Sequence, residues 1–147
     1  MTNPFDPQTA FFAKHAQHVV LIHFPIALFI AGVAFDIAGN WTKRQTLVTV
    51  ADYNLVAAGA MTVPAVATGL LAWHFALEGQ RLKGILLLHL IFGLVSSAIL
   101  WLIAGLRIWP RQTGFFLALR LPLEIMGVAL IGLTGHLGGF LSGMNGP

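Results

Sequence analysis

Polar residues gather in three short clusters that divide the chain into four apolar runs, at about 18–39, 54–76, 84–106 and 117–141. A helix needs roughly 20 apolar residues to cross the hydrocarbon core of a bilayer, and each run is long enough. None alternates with the period of two that a membrane β-strand shows. The connections, Asn40–Tyr53, Ala76–Lys83 and Arg107–Phe116, are short, and short connections make successive helices antiparallel neighbours. The pattern predicts an all-α fold, a transmembrane up-down four-helix bundle forming one membrane domain over residues 1–147. Residues 1–17, with Pro4, Pro7, Phe11 and Phe12, read as an interfacial lead-in. They lack the basic start and small-residue cleavage site of a removable leader. Pro25, Pro64 and Pro122 lie inside apolar runs and predict kinks, the first of them beside His23.

Composition agrees with a lipid solvent. The chain is 57% hydrophobic and 9% charged, against about 25% charged in a soluble domain. It has no cysteine, which excludes disulfides, thiolate metal sites, iron–sulfur clusters and thioether-linked heme. Eight Lys and Arg residues form no patch, so nucleic acid is not an expected partner and the basic residues read as topology signals. Lys14, Arg81 and Lys83 fall at one membrane face, and Lys43, Arg44, Arg107, Arg111 and Arg120 at the other. Five against three predicts that the first face is periplasmic, for a multi-pass protein of a bacterial inner membrane.

That first face also collects imidazoles. His23 opens the first run, His74 closes the second, His89 opens the third and His136 closes the fourth. Chain reversal brings all four to one level. Ionisable side chains at membrane depth are costly and turn toward a bundle interior, so a convergent set marks a candidate site. Imidazole is also the commonest protein ligand for metals. A repeat accompanies the histidines: His23 precedes Thr68-Gly69 by 45 residues, and His89 precedes Thr134-Gly135 by the same 45. The repeat predicts two duplicated helical hairpins, with His23 and His89 at equivalent positions on diagonal helices.

A bis-histidine heme needs imidazoles on both porphyrin faces, small residues where backbone meets the ring, and partners that fix each tautomer. His23 with His89 is the symmetric pair, and His74 with His136 a second, for one heme b or two. Gly132, Gly135, Gly138 and Gly139 surround His136, while Gly69 and Ala72 flank the approach to His74. Thr68 and Thr134 are placed to hydrogen-bond within the site, and Lys14, Arg81 and Lys83 to meet propionates. His18 lies five residues before His23, about 140° round a helix. It reads as a supporting residue of the cofactor site, a propionate partner or a separate site, and His15 as solvated. The same four histidines would alternatively hold copper, zinc or a chlorophyll-type pigment. Glycines at this spacing are also ordinary helix-packing surfaces in membranes.

At the opposite face, Glu124 is expected to pair with Arg120 at i,i+4, and Asp36 with Lys43 or Arg44. The alternative role for these acids is proton uptake or a quinone headgroup site. Trp41, Trp73, Trp101 and Trp109 read as an aromatic belt. Nucleophilic and zinc-hydrolase chemistry lack support, since neither G-x-S-x-G nor H-E-x-x-H occurs.

The segment from His18 to Leu28, His-Val-Val-Leu-Ile-His-Phe-Pro-Ile-Ala-Leu, resembles the signature of the bacterial DUF2231 family of four-helix membrane proteins. Thr68-Gly69 followed by Trp73, His89, and Gly135-His136-Leu137-Gly138-Gly139 extend the resemblance over nearly the whole chain from about residue 15. The chain departs from the family pattern in two places. Val19 stands where a Pro is usual, and Phe140 to Pro147 replaces the usual tail with its acid, Tyr and His-Gly. Members joined to cytochrome c or Rieske domains imply redox chemistry at the outer face. The expected function is a membrane b-type cytochrome carrying electrons between quinol or a partner subunit and a periplasmic redox carrier. The rival expectations are a non-catalytic accessory subunit of a respiratory or photosynthetic complex, and a copper- or zinc-binding membrane protein.

Overall fold

The computed structural model describes residues 14–79, 81–109 and 114–142, with the side chains of 14–16, 76 and 115–117 left aside. The lead-in at 1–13, Arg111 and the tail beyond Ser142 lie outside the described residues, as do the side chains of Lys14 and His15. Four helices account for the described chain: α1 Lys14–Thr42, α2 Gln45–Ala76, α3 Gly84–Ile108 and α4 Gly114–Leu141. All four are long and apolar enough to cross a membrane. In lipid the backbone must satisfy its own hydrogen bonds, and an uninterrupted helix does so within one segment. Pro25, Pro64 and Pro122 lie inside α1, α2 and α4 as expected.

The first connection is far shorter than the polar cluster at 40–53 predicts. α1 runs on to Thr42, α2 begins at Gln45, and only Lys43 and Arg44 turn the chain. The polar side chains that suggest a loop bond back to their own helices: Asn40 to the Asp36 carbonyl, Thr49 to Gln45 and Asn54 to Val50. Lys43 takes a left-handed φ of 55° and the Arg44 amide donates to the Gly39 carbonyl at 3.0 Å, a Schellman closure. Gly39 is required there, because a Cβ would meet Val48 N at 2.9 Å.

Contact is most extensive between α1 and α2, while α1 and α4 meet over a short length. The packed centre consists of Phe29, Val33, Leu55, Ala58, Leu100, Ile103 and Ile131. Phe29 is fully buried and presses on Gly127 of α4, where a Cβ would lie 2.7 Å from its ring. Large apolar side chains such as Phe24, Trp101 and Ile125 face outward, which in a bilayer carries no hydrophobic cost.

Below this centre, toward the Lys43–Arg44 turn, every helix contributes a charge to one cluster. The Arg107 side chain of α3 is 1% exposed; it donates from Nη1 to Asp36 of α1 at 2.9 Å and Asp52 of α2 at 2.7 Å, and from Nη2 to Glu124 of α4. Arg120 lies 3.4 Å from Asp36 and 3.8 Å from Asp52. The expected local pairs, Glu124 with Arg120 and Asp36 with Lys43 or Arg44, are replaced by cross-bundle ones. Lipid gives an outward-turned charge no solvent, so partners on other helices win. Arg107 and Arg120 therefore leave the count of loop charges, which falls to three against three, with Lys14 and Arg111 taken from sequence alone.

Removing one member of a buried ionic network strands the others. Arg107→Met is expected to cost about 3–5 kcal/mol, whereas Arg81→Met, at an exposed position, stays within about 0.5 kcal/mol. Thermal unfolding in detergent micelles measures both.

Candidate functional site

At the other end of the bundle, two imidazoles point inward. His18 on α1 donates from Nδ1 to the Ala65 carbonyl of α2 at 3.1 Å, with the Thr68 hydroxyl at 3.4 Å. Thr68 in turn donates to the Pro64 and Ala65 carbonyls at 2.8 and 3.0 Å. His89 on α3 donates from Nδ1 to the Thr134 carbonyl of α4 at 3.0 Å. Thr134 is held by the Leu130 carbonyl at 2.7 Å and meets Ser96 at 3.2 Å.

Glycine lets each ring lie this close to its neighbouring helix. A Cβ on Gly69 would sit 2.9 Å from His18 Cε1, and one on Gly138 would sit 3.1 Å from His89 Cε1. Thus each hairpin builds the same unit: an imidazole from its first helix, seated on a glycine of its second, with Nδ1 bound to a carbonyl. A neutral imidazole that donates from Nδ1 keeps its lone pair on Nε2. The two rings stand edge-on to each other across the bundle, with centroids 6.4 Å apart and planes at 81°.

They stand in a cavity of about 380 Å³ that runs from Leu82 and Ser142 at the mouth to Leu100 and Ile131 at the packed centre. Along α3 it reaches from Leu86 to Leu100, about 20 Å at the helical rise. Its walls are apolar apart from His18, His23, His89 and the hydroxyls of Thr62, Ser96, Ser97, Thr134 and Ser142. This is the size and character of a small-molecule or cofactor site.

The other sequence candidates are distributed differently. His23 borders the cavity but is exposed, and its Nδ1 donates to the Val19 carbonyl of its own helix at 2.6 Å. His74 and His136 are exposed, do not line the cavity, and stack edge-on against Phe75 and Phe140. Gly135 and Gly139 line the wall, whereas Arg81 is exposed in the α2–α3 connection. The structure pairs His89 with His18 where the 45-residue spacing pairs it with His23. The reason lies in the hairpin arms. Twenty-four residues separate His18 from the end of α1 at Thr42, but only nineteen separate His89 from the end of α3 at Ile108. The tighter first turn puts His18, not His23, level with Thr68.

The geometry thus describes two carbonyl-oriented imidazoles in an apolar cavity between four membrane helices. A family model described as a predicted membrane protein, DUF2231, matches residues 14–145, and the chain belongs to that family. No curated protein and no solved structure matches it.

Overpacking of this kind costs about 1–3 kcal/mol, so Gly69→Ala is expected to displace the His18 ring at a modest loss of stability. Imidazole nitrogen NMR of the purified protein should show the His18 resonances moving while those of His89 stay. Unmoved His18 resonances would count against the close seat on α2.

Proposed function

We propose that this DUF2231 member is a membrane-embedded b-type cytochrome subunit, with His18 and His89 as the axial ligands of one heme b. The observation that carries the reading is the spacing of the two rings. Two imidazoles sharing one metal through bonds of roughly 2.0–2.1 Å have centroids about 6–6.5 Å apart, and these stand at 6.4 Å. Each also donates its other nitrogen to a carbonyl, the arrangement that orients metal-bound histidines and raises their basicity.

Ligand number favours heme over zinc or copper. A structural zinc takes four protein ligands, whereas the two carbonyl-oriented imidazoles here are one pair. A porphyrin brings four nitrogens of its own and asks the protein for two. It also suits an apolar cavity, which sets redox potential by excluding water. Bound heme supplies one-electron chemistry. The chain supplies the axial imidazoles, their fixed orientation and the dry wall. In this reading the protein sits in a bacterial inner membrane and passes electrons between quinol or a partner subunit and a redox carrier that meets the histidine end.

The test is a reduced-minus-oxidised spectrum of the purified protein and its variants. His18→Ala and His89→Ala should each remove the low-spin b-type α-band, while His23→Ala, His74→Ala and His136→Ala keep it, with helicity unchanged throughout. A far-red band would point to a chlorophyll-type pigment instead. A colourless wild-type protein, after expression with ample heme, rejects the assignment.

A further inference from the structure

We infer that the charge cluster near the Lys43–Arg44 turn holds one exchangeable proton, seated on Glu124 and shared toward Asp36. This goes beyond the heme reading and lies at the other end of the bundle. Its members come from all four helices: Asp36 from α1, Asp52 from α2, Arg107 from α3, and Arg120 with Glu124 from α4. Three carboxylates face two guanidiniums, and guanidinium stays protonated in proteins. With every acid ionised, the three acids outnumber the two guanidiniums by one, and of these acids only the Asp52 side chain, 42% exposed, reaches solvent. A buried carboxylate such as Glu124, which shares its Arg107 partner with two other acids, is costly inside the membrane-spanning segments. One bound proton makes the cluster neutral.

A second observation locates it. Glu124 is completely buried, and its Oε2, like Arg107 Nε and Arg120 Nε in the same cluster, has no hydrogen-bond partner among the described residues, although Oε1 accepts from Arg107. A carboxylate accepts through both oxygens, so one idle buried oxygen is costly. A carboxylic acid instead places an O–H at that atom. Asp36 is held on the other nitrogen of the same guanidinium fork, so it is the acid toward which Glu124 would share the proton. Asp36 and Glu124 are sealed from solvent, whereas the Asp52 side chain is 42% exposed and shares Arg107 Nη1 with Asp36. Asp52 therefore links the buried acids to water at that face. A proton taken up there converts the Glu124 carboxylate to the acid, and its release restores the carboxylate; no other bond changes.

Infrared spectroscopy of the full chain in lipid nanodiscs at neutral pH tests this. Wild type should show one protonated-carboxyl C=O stretch that shifts on transfer to D2O. Glu124→Gln, a neutral isostere of the acid, should lose the band while keeping its unfolding temperature. Asp36→Asn should lose it too, because the remaining Glu124 carboxylate is then balanced by Arg107; this variant decides the matter if Glu124→Gln fails to fold. A wild-type spectrum without the band, a band unmoved by D2O, or a band that survives either substitution overturns the proposal.

Discussion

The guanidinium of Arg107 is the point on which the bundle depends. Hydrophobic burial cannot hold these helices together, since lipid offers an apolar side chain as good a home as a neighbouring helix does. A charge at that depth cannot be left to lipid, so its partners are bound to it wherever the chain carries them. By gathering carboxylates from α1, α2 and α4, Arg107 fixes the helix order and depth at one end. The packed centre around Phe29 and Leu100 then sits directly above the tie.

With that end closed, the other is free to stay open. Between His18 and His89 the helices do not meet in a packed layer but enclose a cavity, and the polar groups that enter it are braced by backbone carbonyls. The bundle thus separates its two costly features. Charges lie toward the short turn, and imidazoles braced by backbone carbonyls lie toward the long apolar cleft. Each histidine is held by the partner helix of its own hairpin, so the pair is created only when the two hairpins associate.

Much of this was legible in the residues. Four runs of sufficient length, three internal prolines and the near absence of charge define four membrane helices; the start of α3 and the end of α4 fall at the expected residues, and the end of α3 and the start of α4 within two or three. The histidine end was legible too, as were Thr68, Thr134, Gly69 and Gly138 beside it. What escaped was anything set by hairpin register. Thr46, Thr49 and Asp52 look like loop residues because hydropathy registers polarity, not the ability of a residue such as Thr49 to bond within a helix. Counting residues between His23 and Thr68 assumes equal arms, and the arms differ. Arg107 looked like a loop charge because it lies at the end of an apolar run. A cation facing three acids at comparable depth was the signal that could have revealed the cluster.

The two-residue turn at Lys43–Arg44 has a long reach. His18 stands twenty-four residues up α1 from Thr42, about 36 Å at the helical rise, yet that turn decides which stretch of α2 lies beside it. The seat of an imidazole at one membrane face is thus measured out by a ruler whose zero lies at the other. Among relatives, a lengthened turn would have to be matched by compensating drift along both arms, whereas the lipid-facing surface between them can change with little constraint.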